Sequence, residues 1–179
     1  VVDWLESNSM GYETPFGRVP IVPAAVIFDL NIGSGRVRPL PGNAKQAAVS
    51  AHYNNVNMGS IGAGTGATVG KWAGMETAMK GGLGIQQQEH GALKVLALTI
   101  VNSVGDVIGP DCSILAGAYH KDQGFLAERD YKRRWGEPAV GMAENTVLNL
   151  ILTNARLSKQ QAFYVAERSH FGVARRIEP

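Results

Sequence analysis

In the stretch "GMAENTVLNLILTNARLSKQQA", Asn145 and Thr146 stand at the front edge of a long apolar run, directly after a polar, loop-like segment. A threonine hydroxyl becomes a nucleophile only when a base takes its proton, and no base is adjacent in the sequence. One arrangement needs no neighbour. If the Asn145–Thr146 peptide bond is cut, the freed α-amino group of Thr146, with a reference pKa of about 7.7–8.0, can serve that residue's own hydroxyl. The alternative is structural: threonine favours strands and asparagine commonly precedes them in turns, so the pair can simply open a strand.

Other residues that could do chemistry are weaker. The glycine-rich segment "GSIGAGTGATVGKWAGMETAMKGGLG" invites a phosphate-binding reading. A Walker loop fails twice, because Thr65 occupies the first glycine position and Trp72 follows Gly70-Lys71. Gly62, Gly64 and Ala67 meet the looser dinucleotide pattern, but no clear strand precedes them. Turns and close backbone packing account for such glycines. His52, His90, His120 and His170 have neither metal-ligand spacing nor a carboxylate at a helical interval, so surface or structural roles are expected of them. Cys112, at the start of an apolar run, reads as a small core residue, and no serine sits in a G-x-S-x-G elbow.

The elements that must hold these residues follow from local pattern. "VVDWLESNSMGY" reads as the last turns of a helix stopped near Gly11, and "VPIVPAAVIFDL" as a strand whose first half is demoted by Pro20 and Pro23. Asn43 reads as the N-cap of a helix over "AKQAAVSAHYNNV". "GIQQQEHGALKVLALTIVNSVGDVIG" predicts two strands joined by a tight turn near His90 and Gly91, the second ending at Asn102 or Ser103. From Pro110 to Gly141 the pattern weakens, with Tyr131 to Trp135 a surface loop or short helix.

The run Val147, Leu148, Leu150, Ile151 and Leu152 predicts a strand covered on both faces. Ser158 caps a helix whose Ala162, Val165, Ala166 and Val173 recur on one face. This order of elements indicates an α/β layered domain, with two stacked sheets and helices outside.

Composition sets the outer bounds. A chain of 179 residues, 45% of them apolar, is expected to form one compact, soluble unit. The formal charge of +2 is spread along it, and "YKRRWGE" and "ARRIEP" are too short to make a nucleic-acid groove. With a single cysteine no internal disulfide can form, which favours a reducing, cytoplasmic setting. No apolar stretch reaches the roughly 20 residues of a membrane span, so no membrane partner is expected.

In that order, "VPIVPAAVIFDL", "GAGTGATVGKWAG", "KGGLG", "VLALTIVNSVGDVIG" and "NTVLNLILTNARLSKQQA" resemble the P1 family of peptidases, from about Gly11 to Ile177. That family comprises L-aminopeptidase/D-esterase enzymes, β-aminopeptidases and nylon-oligomer hydrolases. The resemblance implies a precursor that cuts itself before a Ser or Thr into two chains that stay together in an αββα sandwich. The cut would fall between Asn145 and Thr146, with residues 1–145 part of the α chain and 146–179 the start of the β chain. The Asn-Thr form of the junction is similar to that of the nylon-oligomer hydrolases.

The resemblance further implies that Thr146 is the nucleophile, that the Asn102 amide helps stabilise the oxyanion, and that Lys71 favours the deprotonated nucleophile. Substrates would be short peptides or simple amides, neither a metal nor an organic cofactor is implied, and the protein would be a homo-oligomer of processed protomers. Two departures stand out. Phe28 lies near where some members place a tyrosine whose hydroxyl assists the site, and phenylalanine has none to give. The family's further acidic segment beyond "VARRIEP" and its stretch before "VVDWLE" are absent, so the sequence reads as an internal fragment, a single domain over 1–179 incomplete at both ends. Two other functions stay open: an acyltransferase like glutamate N-acetyltransferase, and a non-catalytic member that keeps the layered core without maturing.

Overall fold

The computed structural model describes residues 1–51, 56–128 and 145–178. His52 and the segment Tyr131 to Trp135 lie outside the described residues. The chain divides into two compact units, Val1–Val26 with Ser34–Asn57, and Ile27–Gly33 with Met58–Pro179.

In the first unit, α1 (Val2–Ser7) is the expected helical end. Its last turn is closed by Asn8 Nδ2, which donates to the Trp4 carbonyl at 2.7 Å. A hairpin not anticipated from sequence follows, β1 (Tyr12–Thr14) with β2 (Gly17–Val19), and Thr14 Oγ1 donates across its turn to the Gly17 carbonyl at 2.6 Å. Helix α2 (Pro41–Val49) begins earlier than expected. Pro41 takes the first helical position, where a missing N–H costs nothing. Asn43 is therefore not the N-cap: it sits a turn inside and accepts the Leu40 N–H on its side-chain oxygen at 2.8 Å.

The strand expected over "VPIVPAAVIFDL" is absent, since residues 20–29 carry no regular structure. Pro20 and Pro23 supply no N–H to a ladder, and apolar content alone does not make a strand without a partner edge.

The second unit carries ten strands among the described residues. They are β3 (Thr68–Val69), β4 (Met79–Lys80), β5 (Gly82–His90), β6 (Leu93–Asn102), β7 (Asp106–Ile108), β8 (Ile114–Ala116), β9 (Tyr119–His120), β10 (Gly124–Phe125), β11 (Thr146–Thr153) and β12 (Ile177–Glu178). The main sheet is antiparallel with order β11-β6-β5, and a smaller one has order β12-β7-β8. β5 and β6 form the expected hairpin, turning at Gly91 (φ +59°), with β6 ending at Asn102. Asn154, just past β11, braces that turn: Nδ2 donates to the Ala92 carbonyl at 2.7 Å and Oδ1 accepts the Lys94 N–H at 2.8 Å.

Ser158 caps α3 (Lys159–Ala174) as expected. Its hydroxyl accepts the Gln161 N–H at 3.2 Å, while Gln161 Oε1 accepts the Ser158 N–H at 2.8 Å. Helix α3 lies on the β11 side of the sheet, with a cavity of about 490 Å³ between Arg168, Ser169, Gly172 and Val173 and the face that carries Val147, Asn149 and Ile151. The face Ala162, Val165 and Ala166 is exposed, so the apolar stripe read from sequence meets the sheet only near Val173.

The opposite face carries Leu148, Leu150 and Leu152 beside Ile100, Leu98 and Leu96 of β6. Leu150 and Leu152 are 51% and 50% exposed. The expectation that β11 is covered on both faces therefore fails for the described residues. A continuous apolar run reports what a strand is suited to, not what is packed on it. The fold is mixed α/β, with sheets dominating.

Candidate active site

The deepest part of the second unit is polar. Thr68, Lys71, Thr77, Asn102, Ser103 and Asp106 are buried next to the small apolar residues Ala67, Val69, Ala73 and Ala118. Asn102 closes β6 and is the register partner of Thr146, which opens β11. Opposed residues of an antiparallel pair project to one face with Cβ atoms about 4.5–5.5 Å apart. The Thr146 hydroxyl and the Asn102 amide thus share a face.

Asn102 is 1% exposed. Its Oδ1 accepts from the Thr68 N–H at 3.1 Å and from Lys71 Nζ at 3.0 Å, and its Nδ2 donates to the Phe28 carbonyl at 2.9 Å. The chemistry fixes the orientation of the amide: an ammonium and a peptide N–H can only be met by oxygen, and a carbonyl only by the NH₂. Phe28, which has no hydroxyl, takes part through its main chain.

Lys71 is 2% exposed. A buried ammonium is tolerable only when hydrogen-bonded, and Nζ donates to the main-chain oxygen of Asn102 at 3.3 Å as well as to its side chain. The lysine is delivered by a tight turn over Lys71–Ala73, entered through Gly70 at φ +71°. Glycine is required there, because a Cβ at residue 70 would lie 2.0 Å from the Ala118 nitrogen. The turn hangs on the loop after β6, with the Gly70 N–H bonded to Gly105 O at 3.0 Å and the Trp72 N–H to Val104 O at 3.2 Å. The same loop holds Asn145, whose Oδ1 accepts the Val104 N–H at 3.3 Å.

The residues singled out in the sequence are therefore brought together: Thr146 beside Asn102 by strand register, Lys71 on both oxygens of Asn102, and Asn145 on Val104. The other candidates lie elsewhere. His90 ends β5, His120 Nδ1 stands 3.9 Å from Asp122 on the short β9 strand, and His170 is on α3. Cys112 is not a core residue. It is exposed, in a turn at φ +65°, between Asp111 and Ser113, which bond to each other. Gly64 serves close backbone approach, since a Cβ there would lie 2.5 Å from the Leu83 nitrogen.

Sequence reasoning missed Thr68, Trp72 and Asp106. Asp106 is fully buried and its Oδ1 accepts from Trp72 Nε1 at 2.8 Å and from the Ala118 N–H at 2.9 Å. The only signal for it was a lone carboxylate in "NSVGDVIG", between glycine and valine.

Residues 1–179 match the model of Peptidase family S58. The chain is 33% identical to an uncharacterised aminopeptidase of Mycobacterium leprae, with all of this chain and 51% of that protein covered. It is 31% identical to an uncharacterised aminopeptidase of Mycobacterium tuberculosis, with all of this chain and 52% of that protein covered. A 6-aminohexanoate-oligomer endohydrolase of Kocuria is 30% identical, with 94% of this chain and 48% of that protein covered. The chain spans about half the length of the curated relatives it matches. It belongs to peptidase family S58, in line with the resemblance carried by its motifs.

Proposed function

We propose that this member of peptidase family S58 belongs to a self-processing amide hydrolase in which Thr146 is the nucleophile. The observation that carries the reading is the register of Thr146 against Asn102, with the buried Lys71 ammonium on the Asn102 amide. Scission of the Asn145–Thr146 bond would leave residues up to 145 on one chain and Thr146 at the head of the other, still paired through β11.

In turnover, the Thr146 Oγ attacks the substrate carbonyl and its proton passes to the free α-amine. The carbonyl oxygen becomes an oxyanion. Asn102 spends one Nδ2 hydrogen on Phe28 O, and the second is the donor for that charge. Lys71 adds positive charge one hydrogen bond away. The leaving amine takes the proton from the Thr146 ammonium, an ester forms on Oγ, and water deprotonated by the same amine releases the acid. Short peptides or simple amides are the substrates proposed, in keeping with the aminopeptidase and oligomer-hydrolase names of the relatives.

The half-exposed Leu150 and Leu152, in one row with Leu148, support the finer fold reading, an αββα sandwich in which a second sheet packs on that face. Homo-oligomeric assembly belongs to the same proposal.

Intact-mass analysis of the full-length gene product tests the reading. Two chains whose masses meet between Asn145 and Thr146 are expected, and Thr146→Ala is expected to give one unbroken chain. Two chains from Thr146→Ala would remove the assignment.

A further inference from the structure

The turn that delivers Lys71 is held by a buried carboxylate that the proposed chemistry does not use. Asp106 opens β7, three residues beyond the loop start at Ser103, and its Oδ1 joins the indole N–H of Trp72 to the main-chain N–H of Ala118. Two glycines make room for this junction. A Cβ at Gly117 would lie 2.4 Å from Asp106 Oδ1, and one at Gly70 would lie 2.0 Å from Ala118 N. The residues on either side of Lys71 are thus both fixed: Gly70 by Gly105 O and by its close approach to Ala118, and Trp72 by Val104 O through its backbone and by Asp106 through its ring.

A lysine stem has four rotatable bonds and loses up to about 2 kcal/mol of rotamer entropy when held, so an ammonium at fixed distance needs a fixed base. Charge-assisted hydrogen bonds to a buried carboxylate are the stronger kind. An indole N–H bonded to one is a rigid strut, because the ring has only two torsions.

We propose that Trp72 and Asp106 are positioning residues for Lys71: the indole–carboxylate bond sets where the ammonium meets Asn102 and, across the strand pair, Thr146. The inference rests on the reading of Lys71 as the cation of that site. Trp72→Phe keeps an aromatic ring and removes the N–H. It is expected to lower kcat about tenfold, leave KM within about twofold, and displace the pH profile of kcat, since the moved cation acts on the proton-accepting group.

The deciding experiment is a double-mutant cycle in the full-length gene product. Hydrolysis of an aminoacyl anilide is followed by mass spectrometry for long enough to measure the slow Lys71→Ala background. Lys71→Ala is expected to lose about 10²-fold in kcat, and adding Trp72→Phe to it should change kcat by less than about twofold. Should Trp72→Phe not accumulate as folded protein, Trp72→Tyr, which also lacks the ring N–H, enters the same cycle.

Equal losses with and without Lys71 would overturn the positioning role and leave the Lys71 reading standing. No loss from Trp72→Phe beside an intact Lys71 would do the same. A Lys71→Ala protein with undiminished kcat would instead remove Lys71 from the site, and the inference with it.

Discussion

At its first residue β11 rests on Asn102, a side chain sealed from water and bonded to Thr68, Lys71 and Phe28. Farther along the same strand Leu150 and Leu152 stand half in water. The polar end is the better buried. That inverts the usual division, in which apolar side chains fill the interior and amides stay outside. The cost of burying an ammonium, a carboxylate and an amide is offset only because each finds a partner, and such networks hold one geometry where a greasy core would tolerate several. The strand thus combines a chemically exacting end with an end made for packing.

Asn102→Ala breaks the first half of that contrast most severely. It takes the side-chain acceptor from Thr68 N and from Lys71 Nζ, which keeps the main-chain oxygen of residue 102, with an expected stability loss of about 3 kcal/mol, readable in urea unfolding. It also removes an oxyanion donor, so kcat in steady-state assays should fall about 10²–10³-fold. A variant as stable and active as the parent would show that the buried amide is incidental.

The apolar end is sharpened by Leu150→Ala in the full-length gene product. A second layer on that face predicts a loss of about 2–5 kcal/mol by denaturant unfolding, whereas a side chain left half in water would cost less than about 1 kcal/mol. Ser158→Ala touches neither end. It removes the cap of α3 and should cost about 1 kcal/mol in thermal unfolding with kcat unchanged.

Glu89→Gln is the smallest change and marks the floor. Hydrogen bonds from Lys94 and then Gln87, with the Lys94 charge, hold the Glu89 carboxyl below its ordinary value of 4.5. A lowered carboxylate stabilises fully above the unfolded value and stops doing so as pH falls through the folded one. The pair is an exposed one at 3.2 Å. Melting at neutral pH should therefore fall only slightly on the substitution, the pair being exposed, and even that small difference should vanish as the pH is taken down through about 4.5 and below.

What the sequence made legible was local. The β5–β6 hairpin, its end at Asn102, strand β11 and the Ser158 cap are each written in neighbouring residues, through short apolar runs, a glycine at the turn and an S-x-x-Q box. The failures had non-local causes. A strand over residues 20–29 needed a partner edge, which no property of its own residues supplies. Asn43 looked like a cap because Pro41's fitness for the first helical turn was overlooked. The meeting of Lys71, Asn102 and Thr146 came from resemblance, since nothing in their spacing aligns a turn, a strand end and a strand start. The Trp72–Asp106 bond spans 34 positions and had no local signature.

Asn154 has a consequence for the far end of its strand. By tying itself to Ala92 and Lys94 it sets the zero of a ruler on which Thr146 is a mark. Side chains alternate with a period of two, so an insertion or deletion of one residue between 147 and 153 would reverse parity and turn the hydroxyl toward the helix side. A change of two would restore the face but move the mark by about 7 Å. Length, as much as composition, decides where that oxygen arrives.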